Sequence, residues 1–337
     1  MSDADASNEK TALITGIGGQ DGAYLAQFLV SKGYKVFGTS RDAGVSRFDS
    51  LAQLGVAGQV SLLSMAPNDF KSTLTAISKA RPDEIYHLAG QTSVGLSFDQ
   101  PSETIESITI GTLNILESLR FLALPARFYH ASSSECFGDT AGSAADENTP
   151  FNPVSPYAVA KCAAHWLVRN YREAHTMYAV NGILFNHESE LRPARFVTQK
   201  VVQAAYRISR GSPEKLTLGD LSMTRDWGWA PEYVNAMWRI LQADRADDFV
   251  IATGEANSLQ NFVQQAFACY GLDWIEHVRH SDQLKRPNEI PWSQGNPEKA
   301  HKVLEWHASK RMRDVVKILC NSQALLRYPF RNGESYE

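Results

Sequence analysis

The sequence lacks several features that would define its class at once. No apolar run approaches the 18 residues of a membrane-spanning helix, and residues 1–9 carry neither the basic nor the apolar segment of a secretory signal. The net charge is −4 at pH 7, and no cluster of Lys and Arg marks a surface for nucleic acid or for a membrane. We therefore expect a cytoplasmic protein that binds neither, with residues 1–9 as a disordered tail.

Cysteine and histidine are present without the spacings that hold metals. The four cysteines form no C-x-x-C pair, which argues against a zinc ribbon or a disulfide framework and predicts free, mostly buried thiols. Among the nine histidines there is no H-E-x-x-H motif, and His277 and His280 stand three residues apart without further ligands. The sequence therefore predicts no metal site.

What is present begins with a short buried strand at residues 11–15. It leads directly into glycines at positions 16, 19 and 22, and an apolar run with helical spacing follows at residues 23–30. Glycine lets backbone amides approach a pyrophosphate, and the N-terminus of a helix favours its negative charge. Strand, glycine turn and helix in this order predict a dinucleotide-binding unit.

Strand and helix patterns continue to alternate through the first 190 residues. Strands are predicted at 34–40, 59–63, 84–90 and 127–131, with helices at 70–80, 103–122 and 156–173. This alternation favours a doubly wound parallel α/β sheet over residues 10–185, with a return segment near 249–254. A smaller mixed α/β domain for the substrate is predicted at residues 186–330, where the pattern becomes looser.

Two short motifs carry polar groups suited to catalysis. Ser132, Ser133, Ser134 and Glu135 directly follow the strand at 127–131, at the carboxyl edge where parallel sheets bind ligands. Tyr157 and Lys161 stand four residues apart in the next helix, so both lie on one face. A neighbouring ammonium favours phenolate, so Lys161 is predicted to lower the pKa of Tyr157 and make it a base near neutral pH.

With these motifs in place, the chain resembles an extended short-chain dehydrogenase/reductase with a Rossmann-type sheet, and is most similar to the GDP-mannose 4,6-dehydratases. The resemblance covers residues 10–319 and includes, in order, the segments 12–22, 131–135, 155–161, 181–189, 196–200, 225–228, 248–254 and 286–289.

The resemblance implies a 4,6-dehydration of a GDP-hexose by internal hydride transfer through bound NADP. Tyr157 would remove the C4 hydroxyl proton, Ser133 would hydrogen-bond the C4 oxygen, and Lys161 would support Tyr157 and the nicotinamide ribose. Glu135 would take the C5 proton, with Ser134 helping the C6 hydroxyl to leave. A carboxylate suits that step because the proton comes off carbon.

Further site residues are implied by the same resemblance. Besides Tyr157 and Lys161, the implied cofactor-binding residues are Gly16, Gly19, Gln20, Asp21, Gly22, Arg41, Leu88, Ala89, Gln91, Leu184, Asn186 and His187. The implied substrate-binding residues are Thr92, Ser93, Asn186, Lys200, Arg225, Arg286 and Glu289, of which the cations suit a diphosphate. The sugar would be selected by Thr92, Ser93, Ser134 and the loop 188–192.

Several alternatives stay open at this point. Arg41 follows the second strand and suits a 2′-phosphate, hence NADP, while the neighbouring Asp42 keeps NAD as the alternative. GDP-mannose is the expected substrate and GDP-manno-heptose the second choice. A short segment between residues 271 and 286 resembles the GDP-4-keto-6-deoxy-sugar reductases, which consume NAD(P)H. A catalytically silent cofactor-binding scaffold is a third possibility. The resemblance also implies a homodimer or homotetramer, formed through the helices at 103–122 and 156–173.

Overall fold

The computed structural model describes residues 9–284 and 287–325. Within them the strands are β1 Thr11–Thr15, β2 Lys35–Ser40, β3 Val60–Ser64, β4 Glu84–His87, β5 Arg127–Ser133, β6 Ala179–Leu184, β7 Asn186–Glu188, β8 Leu216–Leu218, β9 Thr224–Trp229, β10 Phe249–Ile251, β11 Ala256–Ser258, β12 Val278–His280 and β13 Trp292–Ser293. The α-helices are α1 Gln20–Ser31, α2 Asp49–Gln53, α3 Phe70–Ala80, α4 Val94–Asp99, α5 Pro101–Ile105, α6 Gly111–Phe121, α7 Pro156–His175, α8 Val197–Ser209, α9 Ala230–Gln242, α10 Leu259–Ala268, α11 Trp274–His277, α12 Glu298–Leu304 and α13 Met312–Leu325.

A seven-stranded sheet organises the first domain. Its strand order is β10-β6-β5-β4-β1-β2-β3, and every pairing is parallel. Apolar side chains of α1 and α9 cover one face, and those of α3, α6 and α7 cover the other. Strands covered by helices on both faces are buried along their whole length, as β4 and β6 are. The predicted doubly wound parallel sheet is confirmed.

The order of strands determines where a ligand meets this sheet. The chain moves outward from β1 to β3 on one side and from β4 to β10 on the other, so β1 and β4 flank the point where the winding reverses. In such sheets ligands bind at the carboxyl ends of the strands near this point. The glycine turn after β1 and the polar residues at the end of β5 lie on this edge.

The predicted helix at 103–122 is present but is not uniform. Helical structure runs from α5 to α6 with a π-helical segment at Glu106–Ile110 between them. Within it, the Thr109 hydroxyl donates to the Ala160 carbonyl of α7 at 3.0 Å, and the Ser107 hydroxyl accepts from Gln91 N at 3.2 Å. A π turn of this kind is common at functional sites, and here it connects α7 to the segment after β4.

The second domain is built around β9, which pairs with β7, β11 and β13, while β8 pairs with β12. Its core lies between α8, α10 and α13. The chain also returns to the first sheet, with β10 at the edge beside β6 and with α9 against α1. The return predicted near 249–254 is therefore accompanied by an earlier one at α9. Of the predicted tail, residues 1–8 lie outside the described residues.

Candidate active site

The end of β5 presents a compact polar corner. Ser133 is the last residue of the strand, and its hydroxyl accepts a hydrogen bond from Glu135 N at 3.2 Å as the chain turns. Ser134 begins that turn and is buried, with 5% of its surface exposed. The turn directs the residues after Ser133 across the carboxyl edge of the sheet, where the sequence predicts catalytic groups.

Helix α7 supplies the other half of the corner. Ser155 caps its first turn by accepting from Ala158 N at 3.1 Å, and Pro156 occupies the first helical position, which needs no backbone donor. Tyr157 and Lys161 share one face of this helix, with the Lys161 Nζ 5.8 Å from the centroid of the Tyr157 ring. The Lys161 ammonium donates to the Ala131 carbonyl of β5 at 2.7 Å, which joins helix to strand.

In this structure the pKa of Tyr157 is shifted in the direction opposite to the one predicted from the Tyr-Lys spacing. Burial raises the pKa of the Tyr157 phenol above its ordinary value, because a phenolate here would lose its hydration. A hydrogen bond from Ser133 and the charge of Arg192 act in the opposite direction, while the charge of Glu135 adds to the rise. The sequence shows the Tyr-Lys spacing but cannot show how little water reaches the phenol.

Lys161 lies in the same dry environment. Burial lowers the pKa of its ammonium group to about 8. Two histidines lie beneath it, with His87 Nδ1 2.8 Å from the Thr15 hydroxyl and His130 Nδ1 2.8 Å from the Asn181 side-chain oxygen. Burial, with a contribution from the charge of Lys161, lowers the pKa of both imidazoles, so they are neutral near pH 7.

The glycine turn after β1 has the form required for close backbone approach. Gly16 has φ +72°, and a Cβ there would lie 3.0 Å from Ala89 Cα. A Cβ at Gly22 would lie 2.5 Å from the Gly16 carbonyl oxygen, so this position also requires glycine. Gly19 stands at the N-cap of α1 and has no side chain with which to cap the first turn.

The Thr15 hydroxyl fixes the neighbouring wall of this turn. It accepts hydrogen bonds from Leu88 N and Ala89 N, each at 3.1 Å. These two residues follow β4 and are both predicted to contact the cofactor, but no residue was predicted to hold their backbone in place. Thr15 was missed because a threonine inside a buried strand gives no signal beyond its β-propensity.

Gln20, Asp21 and His187, all predicted to bind the cofactor, contact one another across the junction of the two domains. Gln20 Nε2 donates to the His187 carbonyl at 3.1 Å, and the Ser189 hydroxyl donates to Gln20 Oε1 at 2.8 Å. His187 Nε2 lies 2.9 Å from Asp21 Oδ2, and its ring stacks on Tyr233 at 4.5 Å. Their side chains therefore join the first turn of α1 to β7.

The predicted substrate residues differ in what their side chains already contact. Ser93 accepts from Leu96 N at 3.3 Å and so caps α4, while Thr92 beside it is exposed. The ammonium of Lys200 donates to the Thr217 carbonyl at 2.9 Å. Arg225 is buried, donates to the Ile290 carbonyl at 2.7 Å, and lies 3.4 Å from Glu289 Oε1. Arg286 lies outside the described residues.

Arg192, whose charge acts on Tyr157, lies in the loop 188–192 that is predicted to select the sugar. Its Nε is 3.5 Å from Glu188 Oε2, and its guanidinium carbon is 3.8 Å from the centroid of the Phe196 ring. The Thr198 hydroxyl also donates to Glu188 Oε2, at 2.6 Å. A buried carboxylate with two such partners holds the arginine in one place.

Two features are absent from residues 9–284 and 287–325. No helix there has the length and apolar character needed to cross a membrane. In the same residues no three His, Cys, Asp or Glu side chains are grouped as a metal site would require. The thiols of Cys136, Cys162 and Cys320 are buried and that of Cys269 is exposed, and all four are free.

The parallel sheet, the glycine turn and the Ser-Tyr-Lys corner together define an extended short-chain dehydrogenase/reductase. A family model described as "GDP-mannose 4,6 dehydratase" matches residues 13–319. The chain belongs to the GDP-mannose 4,6-dehydratase family.

A curated relative agrees with this assignment, and solved structures share the fold. GDP-mannose 4,6 dehydratase 2 of Caenorhabditis elegans is 44% identical over an alignment of 342 positions, which covers 94% of this chain and 90% of that protein. Among solved structures, the dTDP-glucose 4,6-dehydratase DesIV of Streptomyces venezuelae, with NAD and TYD bound, has a TM-score of 0.85 at 18% identity, covering 94% of this chain and 98% of that one. RMD of Pseudomonas aeruginosa complexed with NADPH has a TM-score of 0.76 at 20% identity, covering 93% and 98%. At these identities the two structures show a shared fold.

Proposed function

We propose that this protein is a GDP-mannose 4,6-dehydratase that forms a 4-keto-6-deoxy sugar through a bound nicotinamide cofactor. Membership of the family supports the activity. The observation that carries the proposal is the meeting of Ser133, Glu135, Tyr157 and Lys161 at one corner of the sheet edge. The four groups supply a hydrogen-bond donor, a carboxylate base, a phenol and a cation, which are the functions that such a dehydration needs.

A bound nicotinamide cofactor would supply the acceptor for the hydride from C4 and the donor for the hydride that reaches C6. In the proposed reaction Tyr157 reacts as the phenolate, the form that the hydrogen bond from Ser133 and the charge of Arg192 favour, and takes the proton of the C4 hydroxyl while Ser133 holds the C4 oxygen. Glu135 then takes the C5 proton, which the new ketone has made acidic. The C6 hydroxyl leaves as water with one proton, which Tyr157 delivers with the help of Ser134. Protonation at C5 by Glu135 completes the reaction without net oxidation.

The residues around the glycine turn fit a dinucleotide. Gly16 and Gly22 leave no room for a Cβ, and Gly19 leaves the first turn of α1 uncapped by a side chain, so backbone amides can face a pyrophosphate. We assign the pyrophosphate to this turn and the nicotinamide ribose to Tyr157 and Lys161. Leu88, Ala89, Gln91, Leu184 and Asn186 would line the remaining path.

We infer that the cofactor is NADP. Arg41 directly follows the second strand, its side chain is 85% exposed, and its guanidinium lies 4.0 Å from Glu103, so it can turn to a 2′-phosphate. Asp42 would favour NAD by hydrogen-bonding the ribose 2′-hydroxyl. Its Oδ1, however, already accepts from Gly44 N at 3.0 Å and from Val45 N at 3.3 Å. That carboxylate serves the turn, which favours NADP over NAD.

For the substrate we propose a GDP-sugar, with GDP-mannose first and GDP-manno-heptose second. Arg225, Lys200 and Arg286 would bind the diphosphate, and Asn186 and Glu289 would contact the nucleotide. Arg225 is buried and oriented by the Ile290 carbonyl, so it offers a fixed guanidinium. The sugar would be read by Thr92, Ser93, Ser134 and the loop 188–192.

We propose that a second copy of the chain covers the exposed apolar face formed by α5, the π-helical segment Glu106–Ile110 and α7. On α7, Val159 and Trp166 are seven residues apart, so they share one face, and they are 48% and 51% exposed. Ile105 and Ile110 on the neighbouring helical stretch are 41% and 37% exposed. An isologous interface would bury these side chains on both copies. Light scattering of wild type and Trp166→Glu tests this, since a monomeric wild type would contradict it.

The activity is tested by incubating purified protein with GDP-mannose and no added reductant. We expect a 4-keto-6-deoxy product and no net change in absorbance at the wavelength of reduced nicotinamide. A requirement for one equivalent of NADPH would support the reductase alternative instead, and tight NADP binding without turnover of any GDP-sugar would support the scaffold. Glu135→Gln and Tyr157→Phe are the matched inactive controls.

A further inference from the structure

A line of buried polar side chains runs behind the proposed active site. Ser132 Oγ lies 3.2 Å from His165 Nδ1, and His165 Nε2 lies 3.6 Å from Asp248 Oδ2. Arg172 donates to both oxygens of Asp248, at 2.8 and 2.9 Å, and Asn181 N donates to Oδ1 at 2.9 Å. No role was predicted for the histidine, the aspartate or the arginine, and none of the proposed chemical steps uses them.

The protonation of this line follows from its surroundings. Burial lowers the pKa of His165 to about 4, against the opposing charge of Asp248, so the imidazole is neutral near pH 7. Burial alone would raise the pKa of Asp248, but the fork from Arg172 and the nearby His165 hold it below its ordinary value. We therefore assign the single imidazole proton to Nε2, which faces the carboxylate. Nδ1 is then an acceptor, and the Ser132 hydroxyl donates to it.

Ser132 stands between two residues that hold the catalytic helix. The carbonyl of Ala131, just before it, accepts from the Lys161 ammonium. The hydroxyl of Ser133, just after it, hydrogen-bonds Tyr157 and accepts from Glu135 N. A shift of this strand end would therefore move the contacts of all three groups together. His165 is also one turn beyond Lys161 on α7, so helix and strand are joined at successive turns.

We propose that His165 is a positioning residue for the dehydration: oriented by Asp248 and Arg172, it fixes Ser132 and so sets the end of β5 against Tyr157 and Lys161. The inference rests on the proposed function for its kinetic readout. His165 itself touches no reacting atom, and displacement of positioning groups by about 1 Å lowers rates by about a hundredfold in enzymes generally.

Two amide variants separate the contacts of the ring. Asparagine places an amide near Nδ1 and can accept from Ser132, whereas glutamine places it near Nε2 and can only donate to Asp248. We expect His165→Gln to lower kcat by about tenfold or more, with KM for GDP-mannose changed by less than about twofold. We expect His165→Asn to keep kcat within about threefold of wild type.

Ser132→Ala should lower kcat as much as His165→Gln does, and the double variant should be no worse than either single one. Ser118→Ala, at a buried serine bonded only within α6, is the matched control.

A second readout does not depend on turnover. Hydrogen exchange of the peptide covering residues 131–137 should be about tenfold faster in His165→Gln than in wild type or His165→Asn. If wild type fails to turn over GDP-mannose, the proposed function is wrong, and this exchange pattern alone decides the positioning role. Equal losses in the asparagine and glutamine variants, or unchanged exchange in His165→Gln, would overturn it. An additive double variant would do the same.

Discussion

His187 Nε2 lies 2.9 Å from Asp21 Oδ2, so an ion pair joins the first turn of the helix after the glycine turn to the first strand of the second domain. Burial alone would lower the pKa of His187, but Asp21 and the Phe185 carbonyl hold it above its ordinary value. Burial would likewise raise the pKa of Asp21, but His187 holds it below its ordinary value. The two ionised groups therefore stabilise each other at the junction of the domains.

The first prediction concerns the pH range of this stabilisation. Its histidine part is complete below the unfolded pKa of about 6.5 and is lost as pH rises through the raised folded value, while its aspartate part is present above about 3.9 and is lost as pH falls. We expect His187→Gln to lower the free energy of unfolding by about 3 kcal/mol at pH 6 and by less at pH 9. Urea unfolding at both pH values measures this, and an equal loss at the two would contradict it.

A second prediction follows from the exposed guanidinium of Arg41. If it binds a 2′-phosphate, Arg41→Ala should weaken NADP binding by about tenfold or more and leave NAD binding within about twofold. Calorimetric titration with each nucleotide gives the two affinities. Lys79→Ala removes an exposed charge on α3 and serves as the control, which should change neither. Equal weakening of NADP and NAD would show that Arg41 does not contact the 2′ position.

The fold was predictable because its determinants are local. The strand, the glycine turn and the helix at residues 11–31 follow one another directly in the chain. The spacing of Tyr157 and Lys161 alone places both on one helix face. The structure confirms both patterns. It lengthens the strand at 127–131 to Ser133, which brings the first catalytic serine into the sheet itself.

The contacts of the site were not predictable, because they join distant parts of the chain. Gln20 and Ser189 are 169 residues apart, and no periodicity relates them. The raised pKa of Tyr157 depends on how many atoms surround the phenol, which spacing does not report. The position of α9 against α1 depends on a return of the chain that the looser pattern after residue 186 conceals.

The third prediction concerns stability at the opposite edge of the sheet. Glu84 is 1% exposed, and its Oε1 accepts from Lys10 at 3.0 Å and from Tyr34 and Gln242 at 3.1 Å each. Its Oε2 accepts from the Tyr86 hydroxyl at 2.7 Å. Glu84→Ala leaves these donors without their acceptor and should lower the free energy of unfolding by about 3 kcal/mol. Because Glu84 begins β4 and the site lies at its other end, kcat should stay within about twofold of wild type. Gln242→Ala removes one of the donors to Glu84, together with the acceptor that Gln242 offers to Lys10, and should lower the free energy of unfolding by about 1 kcal/mol. Urea unfolding and steady-state rates, measured on the same preparations, test both parts. A Glu84→Ala protein as stable as wild type would contradict the prediction.

The last prediction is that Lys161 destabilises the fold it serves. Burial lowers the pKa of its ammonium to about 8, so the folded protein binds this proton less tightly than the unfolded chain does, with its ordinary value of about 10.4. The penalty is therefore complete below pH 8 and decreases as pH rises toward 10.4.

Lys161→Met keeps a long side chain and removes the charge, although it also removes the hydrogen bond to the Ala131 carbonyl. With no nucleotide added, we expect it to raise the free energy of unfolding by on the order of 1 kcal/mol at pH 7 and by less near pH 10, while activity is abolished. Thermal unfolding at both pH values measures the gain, with Lys79→Met on the exposed face of α3 as the matched control. A lower melting temperature for Lys161→Met at pH 7 would mean that the contact with Ala131 outweighs the burial of the charge.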